Sequence, residues 1–243
     1  MIMDKIILAV IPARGGSKGV PMKNIRDIAG KPLMQYIFEA SKKSNYITKI
    51  ILSTEDEDIA VVGRSLGMEV PFMRPKELAT DDVPGISVIK HALRFFDESG
   101  FKADAVISMQ PTNPFITAGT IDKSIELWLD SECDSVTTIS EVTRGHPYIT
   151  KRLKEGGIIE NFCTIPGGIS MHVRQAREKA YYLTGALYLR GRSIIESENI
   201  DSHYLGKDSR AIVVDEIEAI DINTPFDFEL ADWVMSKHIG DKS

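Results

Sequence analysis

A chain of 243 residues, 43% hydrophobic and 26% charged, is long enough for one α/β domain with a buried core. No run approaches the length of a membrane span, and a formal net charge of −6 speaks against general nucleic-acid binding, which rests on broad cationic surfaces. The first residues, Met1-Ile-Met-Asp-Lys-Ile6, lack the apolar stretch and cleavage site of a signal peptide, and Cys133 and Cys163 show no metal-type spacing, so a reducing, cytoplasmic setting is expected.

Lys5–Ile11 reads as a strand buried on both faces. Leu33, Tyr36, Ile37 and Ala40 follow the helical spacing i, i+3, i+4 and i+7, with Pro32 at the first helical position. Lys49–Ser53 is the next strand, and Asp56–Leu66 a helix ending at Gly67. Val70–Met73 is a short strand. Ile86, Ile89, Leu93 and Phe96 mark a helix closed by Gly100. Ala105–Met109 is a strand that runs into the turn Gln110-Pro-Thr-Asn-Pro114. A helix on Ile121, Ile125, Trp128 and Leu129 precedes the strand Asp134–Ile139.

From about 143 to 180 the rhythm breaks into a Gly- and Pro-punctuated stretch with a basic group, Arg174, Arg177 and Lys179. Regular patterning resumes at Tyr181–Leu189, Ala211–Val214 and Ala219–Ile222. The last helix starts at Thr224-Pro225, with Phe226, Leu230, Trp233 and Val234 as its apolar face. Repeated strand–helix units predict a Rossmann-like three-layer α/β fold: a mainly parallel sheet with helices on both faces, as one domain over 1–243. The 143–180 stretch is expected to leave the sheet as an arm that pairs with a second subunit. Ligands of such sheets sit beyond the carboxyl ends of the strands, which points to the loops after Ile11, Ser53, Met109 and Ile222.

The first of these loops is Pro12-Ala-Arg-Gly-Gly-Ser-Lys-Gly-Val-Pro-Met-Lys-Asn24. Arg14, Lys18, Lys23, Arg26 and Lys31 concentrate positive charge there, with Asp27 the only acid between 14 and 31. Gly15, Gly16 and Gly19 remove side chains, so backbone N–H groups can approach an anion. Arg14 offers a fork of donors to phosphate oxygens, Ser17 a hydroxyl, and Lys23 a mobile charge for a phosphate whose charge grows during reaction. The glycines at 15, 16 and 19 do not match the dinucleotide fingerprint. The order Gly16-Ser17-Lys18 does not match the Walker A loop either.

The run Ile6–Asn24 resembles the signature of the acylneuraminate cytidylyltransferases, or CMP-sialic acid synthetases, whose relatives act on legionaminic and pseudaminic acids. The resemblance continues through Gly30-Lys-Pro-Leu33, Ser53-Thr-Glu55, Arg74-Pro-x-x-Leu78-Ala79-x-Asp81, His91-Ala-Leu93, Gln110-Pro-Thr112, Gly185-Ala-x-Tyr188 and Asp221-Ile-Asn223, and so spans nearly the whole chain. It implies that Arg14 and Lys23 hold the nucleotide phosphates, with Gly15, Gly16, Ser17 and Lys18 of the same loop around them. Asn24 would contact ribose or base. Arg74 and Gly85 would lie near the cytosine, Gly85 standing where the family has a small hydroxyl residue.

Gln110, Arg174 and Tyr188 match residues of the family's sugar pocket, while Thr184 stands in place of its usual asparagine. Asp221 and Asn223 match an Asp-x-Asp pair that binds Mg²⁺, with one carboxylate replaced by an amide. The two would share a face if the strand continues through them. Glu55, Asp56, Glu57 and Asp58 read as acids at a helix N-terminus. His91, His146, His172, His203 and His238 show no ligand spacing, although His146 in the arm could border the site.

The implied reaction joins CTP and a sialic-type sugar acid into a CMP-sugar and pyrophosphate, in a cytoplasmic homodimer without nucleic-acid or membrane partners. A nucleotidyltransferase for another sugar or nucleotide is the near alternative. A nucleotide-binding sensor without turnover is the distant one, suggested by Asn223.

Overall fold

Residues 5–167, 177–198 and 203–240 are described in a computed structural model. The chain runs β1 (Ile7–Pro12), the ribbon β2 (Asp27–Ile28) and β3 (Lys31–Pro32), α1 (Leu33–Lys42), β4 (Lys49–Ser53), α2 (Glu57–Ser65) and α3 (Gly85–Glu98). There follow β5 (Ala105–Met109), α4 (Ala118–Ser131), β6 (Ser135–Glu141), the hairpin β7 (Lys151–Leu153) and β8 (Ile159–Asn161), β9 (Tyr181–Gly191), α5 (Arg192–Glu196), β10 (Ser209–Val214) and α6 (Pro225–Gly240).

The main sheet has the order β10-β6-β9-β5-β1-β4. Parallel pairing joins β1 to β4 and β5, and β10 to β6, while β9 runs antiparallel between β5 and β6. Side chains alternate across β1 and sort the core into two layers. Ile7, Ala9 and Ile11 join Met34 and Ile37 of α1 and Ile121 and Ile125 of α4. Leu8 and Val10 join Ile86, Ile89 and Leu93 of α3 on the other face. Each such fully buried aliphatic side chain contributes about 1.5–3 kcal/mol. This two-sided burial is why the strand reads as an unbroken apolar run.

Helix ends follow local chemistry. Asp56 caps α2 by accepting from the Ile59 N–H at 3.1 Å, and Gly67, at φ +83°, follows its end. Thr224 and Asp227 cap α6 reciprocally: the Thr224 hydroxyl accepts from the Asp227 N–H (3.2 Å), and the Asp227 carboxylate accepts from the Thr224 N–H (2.7 Å).

Three expectations are corrected. Val70–Met73 is not a strand of the sheet; its vicinity makes only the isolated parallel bridges Ile51↔Glu69 and Thr54↔Met73. Ala219–Ile222 is turn and extended chain rather than strand. On α6 the buried side is Phe228, Ala231, Val234 and Met235, while Phe226, Leu230 and Trp233 are exposed. The helix carries two apolar stripes, so spacing alone cannot tell which one packs. The inner one closes on Val20, Ile28, Leu33 and Ile222, and Arg26 stacks over Phe228 at 4.5 Å. The first loop therefore rests on α6. The expected excursion contains the β7–β8 hairpin, in which Leu153 pairs with Ile159.

Candidate active site

The loops at the carboxyl ends of β1 and β5 border an open cleft of about 640 Å³. β1 connects onward to β4 on one side and pairs with β5 on the other, so the cleft lies where the strand order reverses. Arg14, Ser17, Lys18, Lys23 and Asn24 of the first loop line it. Arg74 and Gly85 join them, as do Gln110 and Tyr188, and Asp221 and Asn223. Gly15 and Gly16 are not among the lining residues. Arg174 lies outside the described residues, as does His172.

Two glycines of the loop, Gly15 and Gly19, serve packing. A Cβ on Gly15 would fall 2.1 Å from Asp56 Oδ2, and one on Gly19 would fall 2.0 Å from the carbonyl oxygen of Asn223. Gly19 thus lets the first loop touch the 222–224 segment. The Gly15 N–H is taken by Glu55 Oε1 at 2.8 Å. Asn24 folds the loop back on itself by donating to the Arg14 carbonyl at 2.9 Å.

Lys23 is buried, and its ammonium donates to the Ile222 carbonyl. Burial pulls its pKa below the ordinary lysine value; Asp221 opposes the shift and Arg14 adds to it. The Asp221 segment is fixed without a strand. Ile222 N–H donates to the Thr112 carbonyl at 2.9 Å, Asn113 Nδ2 to the Ile220 carbonyl at 3.1 Å, and the Asn223 N–H to Asp227 at 3.0 Å. Asn223 and Asp221 still meet, through Nδ2 and Oδ2 at 2.6 Å. The other oxygen of Asp221, Oδ1, is buried and has no hydrogen-bond partner. A buried carboxylate oxygen left in that state is what a hard cation would satisfy. Among the described residues no group of three or more His, Cys, Asp or Glu side chains gathers as a metal cage.

Two ion-paired groups hold Arg74, Arg14 and Lys18. Arg74 is buried and pairs with Glu55 at 2.5 Å, so the Glu55 carboxylate bridges Arg74 and the Gly15 N–H. Asp56 alone caps the helix, which corrects the reading of Glu55 as one more helix-start acid. Asp81 bridges Arg14 at 2.7 Å and Lys18 at 2.5 Å.

Sequence reasoning gave no role in the site to Glu55, Asp81 or Arg190. Glu55 carried a usable signal, being a carboxylate two residues past the end of a strand, where such folds place ligand-site residues. Arg190 lines the cleft with its guanidinium 4.6 Å from the Tyr188 ring centre, and it donates to the carbonyls of Tyr204 and His203 at 2.8 and 3.0 Å. Burial raises the Tyr188 pKa; Arg190 works against that shift and Asp221 with it. Thr184 does not face the cleft: its hydroxyl bonds Thr138 at 2.6 Å in the core. His146 lines a separate cavity of about 280 Å³ at the root of the arm, whereas His203 lines the cleft.

A doubly wound sheet whose switch-point cleft gathers Arg14, Lys18 and Lys23 near a carboxylate has the form of a nucleotidyltransferase. A family model described as Cytidylyltransferase matches residues 8–154. The CMP-N,N'-diacetyllegionaminic acid synthase of Legionella pneumophila is 30% identical over 231 residues, covering 94% of this chain and 96% of that protein. The N-acylneuraminate cytidylyltransferase of Escherichia coli is 30% identical over 95% of this chain, which spans 52% of that longer protein. Among solved structures, CMP:2-keto-3-deoxy-manno-octonic acid synthetase complexed with CTP superposes with a TM-score of 0.73 at 18% identity, over 96% of this chain and 100% of that one, and shares the fold. The chain belongs to the cytidylyltransferase family.

Proposed function

We infer that the protein activates a sialic-type nonulosonic acid with CTP, giving a CMP-sugar and pyrophosphate. The observation that carries this reading is the cleft itself, where Arg14, Lys18 and Lys23 converge beside Asp221. The names of relatives that match nearly the whole of this chain supply the nucleotide and the acceptor class. In the reaction the anomeric 2-hydroxyl oxygen bonds to the α-phosphorus as the bond to the bridging oxygen breaks. Pyrophosphate leaves with that electron pair, and the hydroxyl proton is released to solvent.

Arg14, Lys18 and Lys23 face the charge that grows on the leaving group, and Lys23 does so from a buried position where its field is least screened. Arg74 and the α3 start at Gly85, which line the cleft, would read the cytosine, and Gln110 and Tyr188 would orient the sugar acid. Most of the acceleration comes from alignment and charge neutralisation. Asp221 would hold Mg²⁺ through its unpartnered oxygen, with Asn223 beside it. Bound there, Mg²⁺ would supply neutralisation of the triphosphate charge.

We further propose a cytoplasmic homodimer in which the arm of one subunit closes the sugar pocket of the other. Exposed Leu153, Ile158, Ile159 and Phe162 on and beside the hairpin support this. Among the described residues no helix is long and apolar enough to cross a membrane.

The test is pyrophosphate release with CTP, GTP, UTP and ATP against a panel of nonulosonic acids. Turnover with CTP and at least one such acid is expected. Turnover with a different nucleotide would replace the proposed specificity. Tight CTP binding without pyrophosphate release, for every acid and divalent metal tried, would leave a sensor in place of an enzyme.

A further inference from the structure

We propose that Asp81 is a resident anion of the phosphate cradle, which an incoming polyphosphate displaces when it binds. The proposal rests on the reading of the cleft as a triphosphate site. Asp81 Oδ1 lies 2.7 Å from Arg14 Nη2, and its Oδ2 lies 2.5 Å from Lys18 Nζ. Arg14 Nη1 also reaches the carbonyl of Ala79 at 3.4 Å, so the segment from Ala79 to Asp81 is drawn across the loop's two outer cations. A carboxylate held this way gives one oxygen to Arg14 and one to Lys18, as two oxygens of a phosphate would. Ligand phosphate and Asp81 therefore compete for one pair of donors.

Exposure decides which of the site's ion pairs can exchange. The side chains of Arg74 and Glu55 are 3% and 13% accessible, and breaking such a pair strands a buried charge. Those of Arg14, Lys18 and Asp81 are 38%, 84% and 41% accessible, and exposed pairs give way at little cost. The Arg74–Glu55 pair is thus fixed framework, and the Asp81 bridge is the replaceable part. In the free protein the bridge keeps two like-charged side chains aimed at the cleft. On binding, affinity is lowered by what the exchange costs, and the segment that leads to α3 is released.

The experiment is isothermal titration of the full chain with inorganic pyrophosphate and with CTP, at one ionic strength, for the wild type, Asp81→Asn and Asp82→Asn. Asp82→Asn removes the same charge one residue along, where no bridge to Arg14 or Lys18 is made. Asp81→Asn is expected to bind both ligands about three- to tenfold more tightly, with Asp82→Asn within about twofold of wild type. Affinity of Asp81→Asn equal to or below wild type would overturn the proposal, as would an equal gain in Asp82→Asn. A wild type that binds neither pyrophosphate nor CTP would instead overturn the triphosphate reading, and the proposal with it.

Discussion

Lys23 holds a charge in a place that disfavours charge. Its pKa lies below 10.5 because burial outweighs the attraction of Asp221. Folding therefore disfavours its protonated form. That penalty is present in full below the lowered pKa and lifts as pH rises toward 10.5. A triphosphate reverses the balance, since its negative charge favours the ammonium. Binding of CTP at alkaline pH, where the nucleotide is fully ionised, should take up a proton. Titration calorimetry in buffers of different ionisation enthalpy reads this directly. Lys23→Arg, whose guanidinium stays charged, should abolish the uptake; uptake that persists in that variant would assign it to another group.

Glu55 sets a second residue-scale expectation. Glu55→Ala leaves Arg74 buried and uncompensated and frees the Gly15 N–H, so a loss of about 3 kcal/mol is expected in denaturant unfolding. Glu55→Gln keeps an acceptor for Gly15 and should recover part of that stability while the KM for CTP stays raised. Equal KM values in wild type and Glu55→Gln would free Arg74 of any role at the nucleotide. The sequence marks this residue as an acid just past a strand end and near a helix start, but not what it pairs with. Its partners, Gly15 and Arg74, are 40 and 19 positions away, and no local pattern carries such distances.

At the scale of elements, the first loop was legible because three independent signals coincide: charge, glycines and position after a buried strand. What the loop leans on was not. The 219–222 run reads as a strand by its apolar pattern, yet it is pinned as extended chain by Thr112, Asn113 and Lys23. Gly19 is the contact point between the two, and its neighbours make an unequal pair of variants. Gly19→Ala drives a methyl into the Asn223 carbonyl, a backbone atom that cannot swing away as a side chain can. The contact must open by about 1 Å, and turnover should fall about a hundredfold, the cost of misplacing charged groups on that scale. Gly16→Ala, with nothing within 4 Å of its Cβ, should cost far less. Steady-state rates for the two variants, with circular dichroism to establish folding, check the contrast; equal rates would mean that the loop does not depend on the 222–224 segment. Asp221→Asn belongs with these. It lowers the charge at the unpartnered oxygen and should weaken the Mg²⁺ response of turnover, and an unchanged response would move the metal elsewhere.

For the whole molecule, the alternation of strands and helices announces the layered sheet, but not that β9 runs against its neighbours. An apolar run buried on both faces reads the same in either direction. The excursion from about 143 to 180 was legible as a failure of that alternation, and it contains a hairpin outside the main sheet. Leu153 and Ile159 sit opposite each other in register, 74% and 63% exposed, and Ile158 and Phe162 beside them are 65% and 54% exposed. A two-stranded hairpin is marginal in water without a surface to lie on, and a chain of net charge −6 has no general tendency to associate that would explain an apolar patch in one place. The proposed homodimer covers these side chains against a second copy. Light scattering on the eluting protein should give twice the chain mass. Leu153→Asp combined with Ile159→Asp should halve it, because each change buries a charge in the contact. If the arm of one subunit closes the sugar pocket of the other, the double variant should raise the KM for the sugar acid while its Kd for CTP stays at the wild-type value, since the cleft's phosphate side is built from loops of one chain. A monomeric wild type at full turnover would remove the second subunit from the site and leave the hairpin's apolar face to some other contact.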